Sequence, residues 1–342
     1  MQIGMPELIP GKGRCSLCGR AALPARSSPH GRNFRRHRLW AAASSATVSK
    51  SDLKQLDEAC QAWKNAPPSE KRDFSKDVAA AFKDLKSNDV LSKWGAATES
   101  LTRRTLMMNE LRMVGIRNPE VIGKATVRNE AAFLGTVVLS SSLIALVAGQ
   151  LPGDWGFFVP FLVGGSSLVV LAIGSTNPGA LGFLIDRFSL VFPDYRERVR
   201  RHEAAHFLVG YLMGLPVTRY TLSIGKASTE FVENRDSQIL YGRILEDQQV
   251  DQYSVLSMAG AASEAMKYED VQGQFADLSD LQRIFNCAKN KMPDREQQNM
   301  TRWAVYQAAN LLRQWKKEYE ALQDAMSRGD SVADCVAAIE QA

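Results

Sequence analysis

His202-Glu203-Ala204-Ala205-His206 places two histidines four residues apart with a glutamate between them, and no other histidine follows residue 37 of the 342-residue chain. In a helix, residues i and i+4 project from one face, about 6 Å apart along the axis, so both imidazoles can reach one ion. The glutamate beside the first histidine then stands where it can take a proton from a zinc-activated water. Catalytic zinc takes three protein ligands and leaves a fourth position open. No histidine remains to serve as the third, and Cys287 is poorly spaced, which points to a carboxylate. Glu264, Asp270, Asp277 and Asp280 are the downstream candidates.

Outward from this pair, the spacing predicts a helix from about Tyr195 to Met213, stopped by Gly214-Leu215-Pro216. Thr218–Ile224 and Gln238–Ile244 alternate like strands of a small sheet. From Val250 onward the pattern is helical, with a long helix from about Glu296 to Met326. Residues 195–342 read as one soluble domain. No G-x-x-x-x-G-K-[ST] pattern occurs, so these residues carry no P-loop nucleotide engine.

Before the motif lies an apolar region. No charged residue occurs from Ala131 to Gly153, nor from Trp155 to Ile185. Two transmembrane spans fit, 131–150 and 156–175, joined by a turn too short for anything but a hairpin. Arg117, Lys124 and Arg128 precede the pair, and Arg187, Arg196, Arg198, Arg200 and Arg201 follow it. By the positive-inside rule both soluble parts face the compartment in which the chain arrives. Gly179–Phe192 is apolar but holds Asp186 and Arg187, which suits an interfacial helix better than a third span.

Residues 46–125 read as a polar helical module. Ser51 can cap a helix with Leu53, Leu56, Cys60 and Trp63 on one stripe. Pro67-Pro68-Ser69 starts a second with Phe74, Val78, Phe82 and Leu85, and a third runs through Leu101, Met108 and Leu111 to Gly115. Residues 1–45 hold eight basic side chains against the single acid Glu7, a local +7 that leaves about −2 of the net +5 for the remainder. The near-neutral remainder gives no footprint for nucleic acid. Rich in Arg, Ser and Ala and lacking an apolar core, this first segment has the composition of an organelle transit peptide. Cys15 and Cys18 form a C-x-x-C with no second pair, a passenger of that segment. The remaining Cys60, Cys287 and Cys335 indicate no disulfide framework.

The motif, the block Met258-Ala259-Gly260-Ala261-Ala262-Ser263-Glu264 and the later Ser279-Asp280-Leu281-Gln282 together resemble the peptidase domain of FtsH-type zinc metalloproteases. Asn286, Ala288 and Asn290 and the stretch Ala308–Ala325 continue the likeness, which spans about residues 195–341. In that family a later helix opens with an Asp-hydrophobic pair whose aspartate is the third zinc ligand, and Asp280 stands at the matching position, 74 residues after His206. The resemblance therefore implies His202, His206 and Asp280 as zinc ligands, Glu203 as general base, and Glu264 as a residue orienting a ligand histidine. Asp277, one turn earlier, is the other candidate ligand, and Asp280 would also suit a helix N-cap. The family's usual glycine is Ala205 here, its Gly-Gly-Arg is Ala259-Gly260-Ala261, and its ATPase module has no counterpart in these residues.

That combination looks like the ATPase-less, FtsH-like metalloproteases of chloroplasts, the virescent type. The expected architecture is a mainly α membrane protein, a two-helix transmembrane hairpin followed by a mostly helical peptidase domain with a small β-sheet. The resemblance implies a chloroplast membrane, thylakoid or inner envelope, with the soluble parts in the stroma; the mitochondrial inner membrane is the alternative. Expected partners are the lipid bilayer, unfolded or loosely structured protein substrates, and a separate AAA-type ATPase or FtsH complex that delivers them. The contrasting expectation is a membrane scaffold or assembly factor that retains the fold and dispenses with catalysis.

Overall fold

The computed structural model describes residues 51–99, 101–123, 130–176, 178–189, 191–192, 194–223, 227–232 and 244–342. The transit segment and its C-x-x-C lie outside the described residues, as does nearly all of the expected strand Gln238–Ile244. Among the described residues the fold is mostly helical with one two-stranded sheet.

Helix α1, Lys54–Asn65, buries Leu56, Cys60 and Trp63, and α2, Lys71–Ser87, buries Val78, Ala81, Phe82 and Leu85. Both stripes follow the helical period that the sequence predicts. Residues 51–53 form a turn ahead of α1, so the helix begins after Ser51 rather than on its cap. The indole of Trp63 donates to Ser75 Oγ at 2.9 Å and ties the two helices together. The expected third helix shortens to α3, Met108–Met113. Residues 101–107 are non-helical because their backbone has other partners: Thr102 O accepts from the Trp303 indole at 2.9 Å, and Leu106 N donates to Asn299 at 3.0 Å.

Three apolar helices follow: α4 (Glu130–Ala148), α5 (Trp155–Thr176) and α6 (Pro178–Ser189). Helices α4 and α5 pack on each other. Leu139, Leu143, Leu146, Phe157 and Phe161 project from them uncovered. Ala131–Ala148 is long and apolar enough to cross a membrane, and little of it is buried; Trp155–Val170 is a shorter apolar stretch.

Helix α7, Tyr195–Leu212, carries the histidine motif and is buried along most of its length. It ends where the sequence places the stop, with Gly214 in the left-handed region at φ 79°. Strand β1, Val217–Thr221, pairs antiparallel with β2, Ser228–Phe231, in the register Val217↔Phe231 and Thr221↔Ser228. Four residues with only Phe231 buried carry too little alternation for β2 to be read from sequence. Helices α8 (Asp247–Ser257), α9 (Ala259–Lys267), α10 (Gln274–Cys287), α11 (Asp294–Gln314), α12 (Lys316–Arg328) and α13 (Val332–Gln341) complete the fold. The expected long helix breaks at Trp315, which lets α12 turn back onto α7.

The two stretches read as separate soluble parts share one core, and the described residues form a single compact unit. Gly95 N and Ala97 N donate to Tyr211 O and Leu212 O at the end of α7, at 3.1 and 2.8 Å. Lys93 pairs with Glu318 at 3.0 Å, and Glu340 accepts from the backbone of Ser92 and Lys93 and from the Tyr211 hydroxyl. The stretch from Ser92 to Ala97, which follows α2, thus braces the end of the motif helix.

Candidate metal centre

Helix α7 presents His202, Glu203 and His206 to a cavity of about 400 Å³. Each histidine has its Nδ1 engaged. That of His206 lies 2.9 Å from Leu256 O, a carbonyl that only accepts, so the ring carries its proton there. That of His202 lies 2.9 Å from Glu264 Oε1. Glu264, buried on α9, also accepts from Gln272 N at 3.1 Å and Gly273 N at 3.2 Å. Both Nε2 atoms face the cavity, 3.1 Å apart, and in the neutral rings each would carry a lone pair there. The packing around His202 leaves no spare room. A Cβ on Gly260 would lie 2.3 Å from its Nε2, and one on Gly273 would lie 2.7 Å from Glu264 Oε1.

Asp277, in the first turn of α10, closes the cluster. Its Oδ1 is 3.3 Å from His206 Nε2 and its Oδ2 is 3.4 Å from His202 Nε2. The three ligand atoms lie within 4.8 Å of one another. Oδ2 of Asp277 is buried with no hydrogen-bond partner, which in an interior position is costly unless something else neutralises it. Burial opposes charge on both imidazoles, yet the facing Asp277 carboxylate outweighs it and holds both rings above the ordinary histidine range. Burial likewise would raise the Asp277 carboxyl, and the two rings hold it below the usual carboxylate range instead. A buried carboxylate facing two imidazole Nε2 atoms, with one oxygen lacking a hydrogen bond, fits a small divalent cation of the kind bound by nitrogen and oxygen, zinc among them.

Asp280, the aspartate that the family likeness selects, sits elsewhere. It lines the same cavity, but the structure brings Asp277 into the cluster and leaves Asp280 beside it, half-exposed and accepting from Arg283 at 2.6 Å. The reason is where the helix starts. Because α10 opens at Gln274, Asp277 faces α7 in the first turn, and Asp280 stands about 4.5 Å farther along the axis. That early start also rules out an N-cap role for Asp280, and Ser279 Oγ donates back to Phe275 O instead. Asp277-Leu278 is itself an Asp-hydrophobic pair, so the motif reads equally well three residues earlier. Asp270 is a partner of Arg198 at 2.9 Å and stands outside the cluster.

Glu203 is buried beside the histidines, and its Oε2 accepts from Thr229 Oγ1 on β2 at 2.9 Å. The same hydroxyl lies 3.1 Å from the Glu203 carbonyl, which pins the side chain over its own helix turn. Thr229 and Gly273 carry no sequence signal of their own, because what they do depends on which elements meet. Comparison of the chain with protein-family models, with curated proteins and with solved structures finds no match.

Proposed function

We propose that this chain is a membrane-anchored, ATP-independent zinc metalloendopeptidase of the chloroplast, similar to the peptidase domain of FtsH-type proteases. The observation that carries the reading is the convergence of His202, His206 and Asp277 on one point of a cavity that also holds the Glu203 carboxylate. These three residues would hold the ion. Zinc bound there supplies a Lewis acid that polarises a carbonyl and lowers the pKa of water to about 7.

The remaining work falls to the chain itself. Glu203, aimed by Thr229, takes a proton from the attacking water at its carboxylate and returns it to the leaving amine. Glu264 and Leu256 O fix both imidazole tautomers so that the Nε2 lone pairs face the cavity. Strand β2 forms one wall through Ser228, Thr229 and Phe231, and α10 forms another through Ala276 and Asp280.

The anchor in this reading is a hairpin of α4 and α5, whose uncovered Leu and Phe side chains suit a lipid surroundings. The basic flanks support a site on the stromal side of a thylakoid or inner-envelope membrane, and its distance of 27 residues beyond Ser175 supports one outside the bilayer. With no P-loop in these residues, substrates are loosely structured proteins or ones delivered by a separate AAA-type ATPase. The test is cleavage of an unfolded fluorescent protein by the full chain in detergent with zinc. Glu203→Gln is expected to keep its metal and lose about 10²–10⁴-fold in rate. Cleavage that survives this change would sink the enzymatic reading. Rescue of a null mutant by the same variant would favour a scaffold.

A further inference from the structure

Arg198 lies one helical turn before His202 on α7, and its side chain is only 10% exposed. Beyond Asp194 on its own side, its contacts lead to Glu264 and to one connecting segment. Nε donates to Asp194 Oδ2 at 2.8 Å, Nη2 to Asp270 Oδ1 at 2.9 Å and Nη1 to Asp270 O at 3.3 Å. The guanidinium carbon stands 3.7 Å from the centre of the Tyr268 ring, and Nη1 is 3.8 Å from Glu264 Oε2. Arg198 therefore grips the connection from Tyr268 to Gly273 by its ring, its carbonyl and its carboxylate. The far end of that connection supplies the Gln272 and Gly273 amides to Glu264, and Glu264 in turn holds Nδ1 of His202.

We infer that Arg198 is a positioning residue for the metal centre, acting on His202 through the Tyr268–Gly273 connection and Glu264. The inference rests on the metal-centre reading above. Charge and geometry both support it. Glu264 is 3% exposed, and Arg198 is the cation that accompanies it into the interior. With Gln272 N and Arg198 on the Oε2 side, Oε1 is the oxygen left to face the imidazole. Arg198 also lines the cavity, yet it is not built to capture a substrate carboxylate. Two edges of its fork are taken by Asp194 and Asp270, one face is covered by Tyr268, and Glu264 occupies the side toward the site. A lysine cannot replace this combination of fork and stacking plane.

The experiment measures zinc affinity by competition with a chromophoric chelator, and the visible spectrum of the cobalt-substituted protein, on the full chain. Arg198→Ala and Glu264→Gln are each expected to weaken zinc about 10–100-fold and to alter the cobalt bands in the same sense. The double variant should be no weaker than the worse single one, because both act along one path. Arg198→Lys should not rescue. Asp270→Ala, at a half-exposed side chain, should shift both readouts partway. Wild-type affinity and spectrum in Arg198→Ala, or losses that add in the double variant, overturn the inference alone. If Arg198→Ala does not fold, an unchanged Asp270→Ala overturns it. A wild-type chain that binds no zinc overturns the metal-centre reading and this inference with it.

Discussion

Oδ1 of Asp277 lies 3.3 Å from Nε2 of His206, joining the first turn of α10 to the middle of α7 at the floor of the cavity. Neither group is exposed enough for water to stand in for the other. Removing one partner of such a pair leaves an uncompensated buried charge, a loss of about 3–5 kcal/mol. The two helices are therefore tied by the same contact that defines the site, and changes near the site are expected to register in both stability and metal content.

Gly260→Ala is the sharpest steric case. The added methyl would sit 2.3 Å from His202 Nε2, and α9 packs too closely on α7 to yield easily. We expect a loss of about 1–3 kcal/mol in urea unfolding together with reduced zinc content. An unchanged midpoint with full zinc occupancy would show that the approach of α9 to His202 is misplaced.

Zinc binding should strengthen with pH through and above the ordinary histidine range. Both imidazoles must be neutral to ligate, and in the metal-free protein Asp277 holds their pKa values up against the opposing effect of burial. The sign for the metal-free fold is the reverse. Stability from the raised histidines is fully present below about pH 6.5 and lost as pH rises through their folded values. That from the lowered Asp277 is present above about pH 3.9 and lost as pH falls through its folded value. The zinc-induced rise in the urea midpoint should thus be larger at pH 8.5 than at pH 5.5. Equal rises at both would contradict it.

Thr229→Val removes the hydroxyl that donates to Glu203 Oε2 while keeping the side-chain volume. Turnover of an unfolded substrate should fall by about fivefold, in line with about 1 kcal/mol for one hydrogen bond, and zinc content should stay unchanged. A fall in zinc content would mean that β2 supports the ligands rather than the base.

Cys60 and Cys335 report on whether the flanking stretches share one core. Burial pushes both thiols up to about 12, so each should resist alkylation at pH 8 in the native chain. On urea titration followed by mass spectrometry the two should become reactive at the same denaturant concentration. Early labelling of Cys60 alone would mean that α1 and α2 detach before the rest.

The parts of this structure that sequence reveals are those governed by local periodicity. The stripe Leu56, Cys60, Trp63, the Gly214 stop and the His202/His206 spacing all follow from residues within one helix. What sequence leaves open depends on contacts between elements. Arg198 looks like one of several basic residues beside the motif until Tyr268 and Asp270 come to meet it. Asp277 and Asp280 differ only in where α10 begins, and Gly273 sets that start just after the segment that feeds Glu264. Residues 101–107 continue a helical stripe on paper, yet Trp303 and Asn299 claim their backbone. Strand β2 is too short to announce itself, although it supplies the hydroxyl that aims Glu203.

Zinc content of the purified full chain, measured beside Asp277→Ala and Asp280→Ala, tests the metal centre most directly. One zinc per chain is expected in the wild type and in Asp280→Ala, and none in Asp277→Ala. A wild-type chain without zinc, or zinc retained in Asp277→Ala and lost in Asp280→Ala, would contradict it.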